Sequence, residues 1–131
     1  MALRGIRGAI TVKKNSKDEI VSATTKLLKE MVLLNRIKID DIASAIFSTT
    51  KDLKAEFPAT AARNLGWLYT PLLCTNEMPV PGSIKKCIRA LIHVNSEKKQ
   101  NDIKHVYLGE AKKLRPDLAS EKEGLYYTSN S

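Results

Sequence analysis

Ile84-Lys85-Lys86-Cys87-Ile88-Arg89-Ala90-Leu91-Ile92-His93-Val94-Asn95 is the stretch that decides the fold. No glycine or proline interrupts it, and its residues sort with a period of two, so it reads as a long strand. One face carries Ile88, Ala90, Ile92 and Val94 and is wholly apolar; the other carries Cys87, Arg89, Leu91 and His93. Arg89 sits in the middle of the strand with apolar neighbours on both sides. A guanidinium enclosed there calls for an anionic partner, either an internal carboxylate or a ligand.

Working outward, Leu3 to Val12 repeats the pattern. Leu3, Gly5, Arg7, Ala9 and Thr11 share one face, and Arg4, Ile6, Gly8, Ile10 and Val12 the other. Ser16 and Glu19 make a capping box that opens a helix. Its apolar positions Ile20, Leu27, Leu28, Met31 and Leu34 recur at helical spacing, and it ends near Asn35. Asp40-Asp41 opens a short turn, and Ala45-Ile46-Phe47 suits a second strand. Phe57-Pro58 starts a second helix, which Gly66 stops. Trp67 to Cys74 reads as a third strand, with Pro71 marking an edge. Residues 75–83 form a loop before the Ile84–Asn95 strand. His105–Leu108 is a last strand, Gly109–Leu114 a short helix, and the polar end a mobile tail over 119–131.

The order β-α-β-α-β-β-β has too few helices to cover both faces of a sheet. It predicts an α+β domain over 1–118 with helices on one side of a mixed sheet. Self-association would cover the other face, and clefts between subunits are natural ligand sites.

The chain has 131 residues, a single-domain length, with 43% hydrophobic and 27% charged residues. No apolar run is long enough for a membrane helix, and the N-terminus has no secretory h-region, so a cytoplasmic protein is expected. Cys74 and Cys87 make neither a disulfide framework nor a metal site and are read as reduced thiols. The net charge of +8 favours an anionic partner. Nucleic acid is disfavoured, because only 5% of residues are aromatic and no basic segment interleaves with stacking rings. His93 and His105 lack a third ligand at metal spacing, and no nucleophile triad can be ordered. No metal or cofactor is therefore expected.

The arginines carry the functional signal. Arg7 lies between Ile6 and Gly8, where flanking glycine lets a ligand approach the backbone, though an exposed strand arginine is equally consistent. Arg63 and Arg115 each end an apolar element. With Arg89 they suggest a small polyanionic ligand. Glu77 could accept a hydrogen bond from a ligand hydroxyl or be a plain loop acid. Tyr107 could aim its phenol at a carboxylate or fill the core.

Several blocks resemble the trimeric chorismate mutases: Arg4–Val12, Phe57-Pro58-Ala59 with Arg63, Gly66-Trp67, and Pro71 with Cys74 and Glu77-Met78. Lys85–Arg89, His105–Leu108 and Leu114–Leu118 complete the series, in family order from residue 4 to 118. The resemblance implies a ferredoxin-like or chorismate-mutase-like fold and a homotrimer forming a pseudo-α/β barrel, with sites between subunits. It implies the cofactor-free rearrangement of chorismate to prephenate in phenylalanine and tyrosine biosynthesis. By resemblance, Arg89 binds the ether oxygen, Arg7 and Tyr107 bind carboxylate, and Glu77 accepts the hydroxyl with Cys74 beside it. Leu73, Thr75 and Asn76 are site wall; Phe57, Ala59 and Leu114 are apolar lining; Arg63 and Arg115 stand at the mouth. Two positions depart from the family pattern: Thr60 where a lysine is expected, and Leu73 where a threonine is. One residue is also missing before Gly66. A trimeric deaminase of reactive enamine or imine intermediates, or a non-catalytic trimer binding anionic metabolites, are the alternatives.

Overall fold

The structure, a computed structural model, describes residues 1–114, 120–122 and 125–128. At its centre β1 (Ala2–Thr11) runs antiparallel to β4 (Cys87–Ser96), with Ala2 opposite Ser96 and Thr11 opposite Cys87. β2 (Ile42–Thr49) lies antiparallel on the other side of β4, and β3 (Leu72–Asn76) pairs parallel to β2 at the sheet edge. β5 (His105–Leu108) pairs parallel to β1. The described sheet has the order β3-β2-β4-β1-β5 and then two short strands, β7 (Leu125–Thr128) and β6 (Ser120–Lys122). The sheet is mixed, as the element order required.

Helix α1 (Lys17–Asn35) joins β1 to β2, and α2 (Ala59–Asn64) joins β2 to β3. The Ser16 hydroxyl accepts from the Glu19 amide at 3.2 Å. The Glu19 carboxylate reaches past the expected position and accepts from the amides of Lys13 and Lys14 instead. At the other end Arg36 turns left-handed (φ 51°) and its amide bonds the Leu33 carbonyl, closing the helix. The Asn35 amide is buried and works like a piece of backbone. Its nitrogen donates to the Met31 and Lys104 carbonyls, and its oxygen accepts from the Lys104 amide at 2.8 Å. The end of α1 is thereby fixed to the chain entering β5.

One core lies between the helices and the apolar face of the sheet. Ile6, Ile10, Phe47, Ile88, Ile92 and Val94 meet Ile20, Leu27, Leu28 and Met31 of α1. Gly8 is the point of closest approach: a Cβ there would lie 2.4 Å from Met31 Sδ and 3.0 Å from Leu27 Cδ1. Gly8→Ala is therefore expected to lower stability by about 1–3 kcal/mol, the range for overpacking. Urea unfolding checks this; an unchanged midpoint would mean that α1 rests more loosely on β1 than the contacts imply.

Among the described residues, the opposite face is covered only at one corner. There the 3-10 turn Gly109–Leu114 packs Ala111 against Ala9, Cys87 and Tyr107 in a second, small core. The rest of that face, with Arg7, Ile46, Ser48, Arg89 and Leu91, stays partly open.

Two expectations differ from the structure. The third strand begins at Leu72, not Trp67: Trp67 leaves the strand direction and is buried in the main core, while Leu68 and Tyr69 stand in solvent. The Ile84–Asn95 strand begins only at Cys87, because Lys86 adopts φ 49° and its amide donates to the Asp52 carboxylate, which turns the chain. The tail expected over 119–131 lies partly outside the described residues. Where it is described, β6 and β7 pair antiparallel and β7 pairs antiparallel to β5, in keeping with the β-favouring Leu125-Tyr126-Tyr127-Thr128.

Candidate active site

Register places the chemistry. Ser48, Arg89, Ala9 and Tyr107 stand on one rung across β2, β4, β1 and β5. Ile46, Leu91 and Arg7 stand two residues along on the same face. Together with Leu114 these side chains line a cavity of about 270 Å³ on the open side of the sheet. Ala9 is small and buried, which leaves the space between Arg89 and Tyr107 free.

Arg89 is the charge in this cleft that stands beside a carboxylate. Its Nε lies 3.4 Å from Glu77 Oε1, close enough for an ion pair. Among the described residues the same Nε, which is buried, has no hydrogen-bond partner, so the two groups attract without the alignment a hydrogen bond needs. The distance alone would overstate the contact; the unsatisfied donor is the better measure of it. A buried donor left unpaired costs about 1–3 kcal/mol, more when charged. An acceptor arriving in the cavity would recover part of that cost. Both readings of Arg89 thus apply: a carboxylate stands near it, and the guanidinium still faces open space. Glu77 itself follows β3 and is held by its amide, which donates to the Thr49 carbonyl at 2.8 Å.

Among the described residues no carboxylate pairs with Arg7. Its amide donates to Nδ1 of His105 at 2.9 Å, which anchors its backbone where β5 begins. Tyr107 is only 4% exposed and forms one wall of the cleft. Cys87 lies beneath, fully buried. Burial pushes its thiol pKa up to about 11, against the opposing pull of Arg89, so it is a protonated core residue at neutral pH.

A second cavity, of about 340 Å³, holds Phe57, Cys74, Thr75 and Asn76 together with Thr49 and Glu56. Cys74 pairs with Phe47 and packs against the helix-side core, so within one chain it points away from Arg89. Strand alternation thus sets Cys74 and Glu77 of one chain on opposite faces of the sheet. Leu73 and Thr75 flank Cys74 on the other face, opposite Ile46 and Ser48, and Leu73 is 61% exposed. Phe57 is exposed, but Ala59 is buried in the main core. Arg63 is exposed on α2, and Thr60 is half-buried beside Glu56. The Glu56 carboxyl is held below its ordinary pKa, first by the Phe57 amide. Arg115 lies outside the described residues. Ser48, Ile46 and Leu91 line the cleft and were not singled out from sequence; only the pairing register with Arg89 and Arg7 could have found them.

Fold and cleft define an α+β domain whose open sheet face carries two arginines around a small cavity. The sequence profile described as Chorismate mutase type I matches residues 3–118, and the chain belongs to that family. It is 45% identical over 123 residues to chorismate mutase AroH of Bacillus subtilis (strain 168), covering 93% of this chain and 97% of that protein. It is 47% identical over 119 residues to chorismate mutase AroH of Thermus thermophilus, covering 90% and 98%. The structure of a chorismate mutase from Clostridium thermocellum matches with a TM-score of 0.82 at 60% identity, covering 82% of this chain and 96% of that one. The chain is an enzyme, an isomerase of aromatic biosynthesis that rearranges chorismate to prephenate. The deaminase and the non-catalytic alternatives give way to this membership.

Proposed function

We propose that the arginine cleft holds chorismate as a dianion at a boundary between subunits of a homotrimer, and that Arg89 supplies the catalytic charge. The rearrangement is pericyclic: one C–O bond breaks as one C–C bond forms, with no proton transferred and no covalent intermediate. The protein's task is to select the compact conformer and to stabilise negative charge growing on the ether oxygen. Conformer selection is a proximity effect. A guanidinium fixed at that oxygen is electrostatic preorganisation. Lowering the barrier by roughly 8 kcal/mol would accelerate the reaction on the order of a million-fold.

The observation that carries this reading is the buried, unsatisfied Nε of Arg89 at the floor of a largely apolar cavity. Glu77 sets the arginine from one side and accepts from the substrate hydroxyl. Arg7 and Tyr107 hold carboxylate, and Leu114 closes the apolar side, with Arg115 at the mouth. The Phe57 cavity, with Ala59, Arg63, Leu73, Cys74, Thr75 and Asn76 at or around it, supplies the opposite wall from a neighbouring chain. Two partial sites in one chain, and a sheet face half open between them, support the shared arrangement. Among the described residues no helix is long and apolar enough to cross a membrane, and both cysteines are free; we place the enzyme in the cytoplasm.

The test is the purified protein itself. Chorismate consumption followed optically should proceed without added metal or cofactor, from particles whose scattering mass is that of a trimer. A monomer mass at full activity would overturn the shared site.

A further inference from the structure

We infer that Ser48 is a further substrate-binding residue of this cleft, its hydroxyl donating to a carboxylate oxygen of chorismate beside the group held by Arg89. The inference rests on the cleft reading above and adds a residue to it. Ser48 lies directly across the β2–β4 ladder from Arg89. Cross-strand partners of this kind have Cβ atoms about 4.5–5.5 Å apart. On its other side Ser48 pairs with Thr75 of β3, so along this rung it stands between Arg89 and the sheet edge where the second chain would close. It is half-buried and lines the same cavity.

Ser44, on the same face of β2, is an instructive contrast. Its hydroxyl lies 3.0 Å from Nδ1 of His93 on β4 and is satisfied inside the protein. Among the described residues Ser48 has no such partner, although its neighbour on β4 is the residue with the unsatisfied Nε. Two polar groups without hydrogen-bond partners thus adjoin on one rung. The other described side chains of the cavity at this level are the Ala9 methyl and the Tyr107 ring. A hydroxyl is both donor and acceptor, and beside an arginine it faces the same oxygen-rich ligand that the arginine does. The carboxylate is present in ground and transition states alike, so the bond is uniform binding and acts on KM rather than kcat.

The experiment uses three variants of the full chain: Ser48→Ala, Ser48→Val and Ser48→Thr. Valine and threonine have nearly the same shape and differ in the hydroxyl. Ser48→Thr should stay within about twofold of the parent in KM, while Ser48→Val and Ser48→Ala should raise KM about tenfold, the loss of one hydrogen bond to a charged group. The inhibition constant for added prephenate should rise in parallel, and kcat should change little. Thermal melts and scattering mass confirm that each variant is a folded assembly. Equal KM for Ser48→Val and Ser48→Thr would overturn the inference, as would a loss confined to kcat, which would mean Ser48 acts only through Arg89. Arg7→Ala is run alongside: a parent-like KM and kcat there would overturn the cleft itself, whereas a damaged Arg7→Ala with parent-like Ser48→Val overturns Ser48 alone.

Discussion

Arg89→Ala is expected to lose on the order of 10²–10³-fold or more in kcat, the scale for removing one preorganised donor from a developing negative charge. The loss should fall on kcat because charge on the ether oxygen is small in the bound substrate and large in the transition state. The fold should survive. Among the described residues Arg89 contributes to neither apolar core, and its Nε forms no hydrogen bond whose loss would leave a partner stranded. Removing it takes the paired cation from Glu77, whose side chain is 23% exposed, so the melting curve of the variant must be read beside its kinetics. Arg7→Ala should behave differently. It removes a cation from a carboxylate present throughout the reaction, so KM rises together with any fall in kcat. Steady-state kinetics on both variants, with melting curves beside them, separates the two roles. An Arg89→Ala variant that lost only affinity would reassign Arg89 to ground-state binding.

The second large effect concerns the boundary between chains. Phe57 is 65% exposed beside the Cys74 cavity, so Phe57→Asp should fold and place a carboxylate against the incoming dianion. Alone it should be nearly inactive, as should Arg89→Ala. Mixed in equal amounts and reassembled, the two variants should recover activity. If each site takes its arginine cleft from one chain and its Phe57 wall from the next, about one boundary in four in a random cyclic trimer has both halves intact. If each site lies within one chain, every site lacks one residue or the other and nothing returns. The measurement is activity of the mixture before and after a dissociation and reassembly cycle. Recovery only after reassembly is expected, and no recovery from correctly sized trimers would contradict the shared site.

Much of this was legible in the sequence, and the reason is strand periodicity. Arg7 and Arg89 could be put on the face opposite the main core because Ile6, Gly8 and Ile10, and Ile88, Ala90 and Ile92, alternate with them without a break. The capping serine and the amphipathic pattern set α1 for the same reason. What failed was local. Trp67 has high strand propensity, yet the core took it, and Lys86 looks like any strand lysine until its φ of 49° is seen. Ser48 carries no signal alone; it acquires one only when the register sets it across from Arg89. Residue types were readable, but pairings between distant strands were not.

The central claim is that a guanidinium fixed at the ether oxygen performs the catalysis, and Arg89→Lys tests it most directly. Lysine keeps the charge and loses the planar fork, and its ammonium reaches a different point in the cleft. If the account is right, a folded trimeric Arg89→Lys variant should lose nearly as much kcat toward chorismate as Arg89→Ala does. A near-normal kcat in that folded trimer would contradict it and leave the guanidinium a structural partner of Glu77.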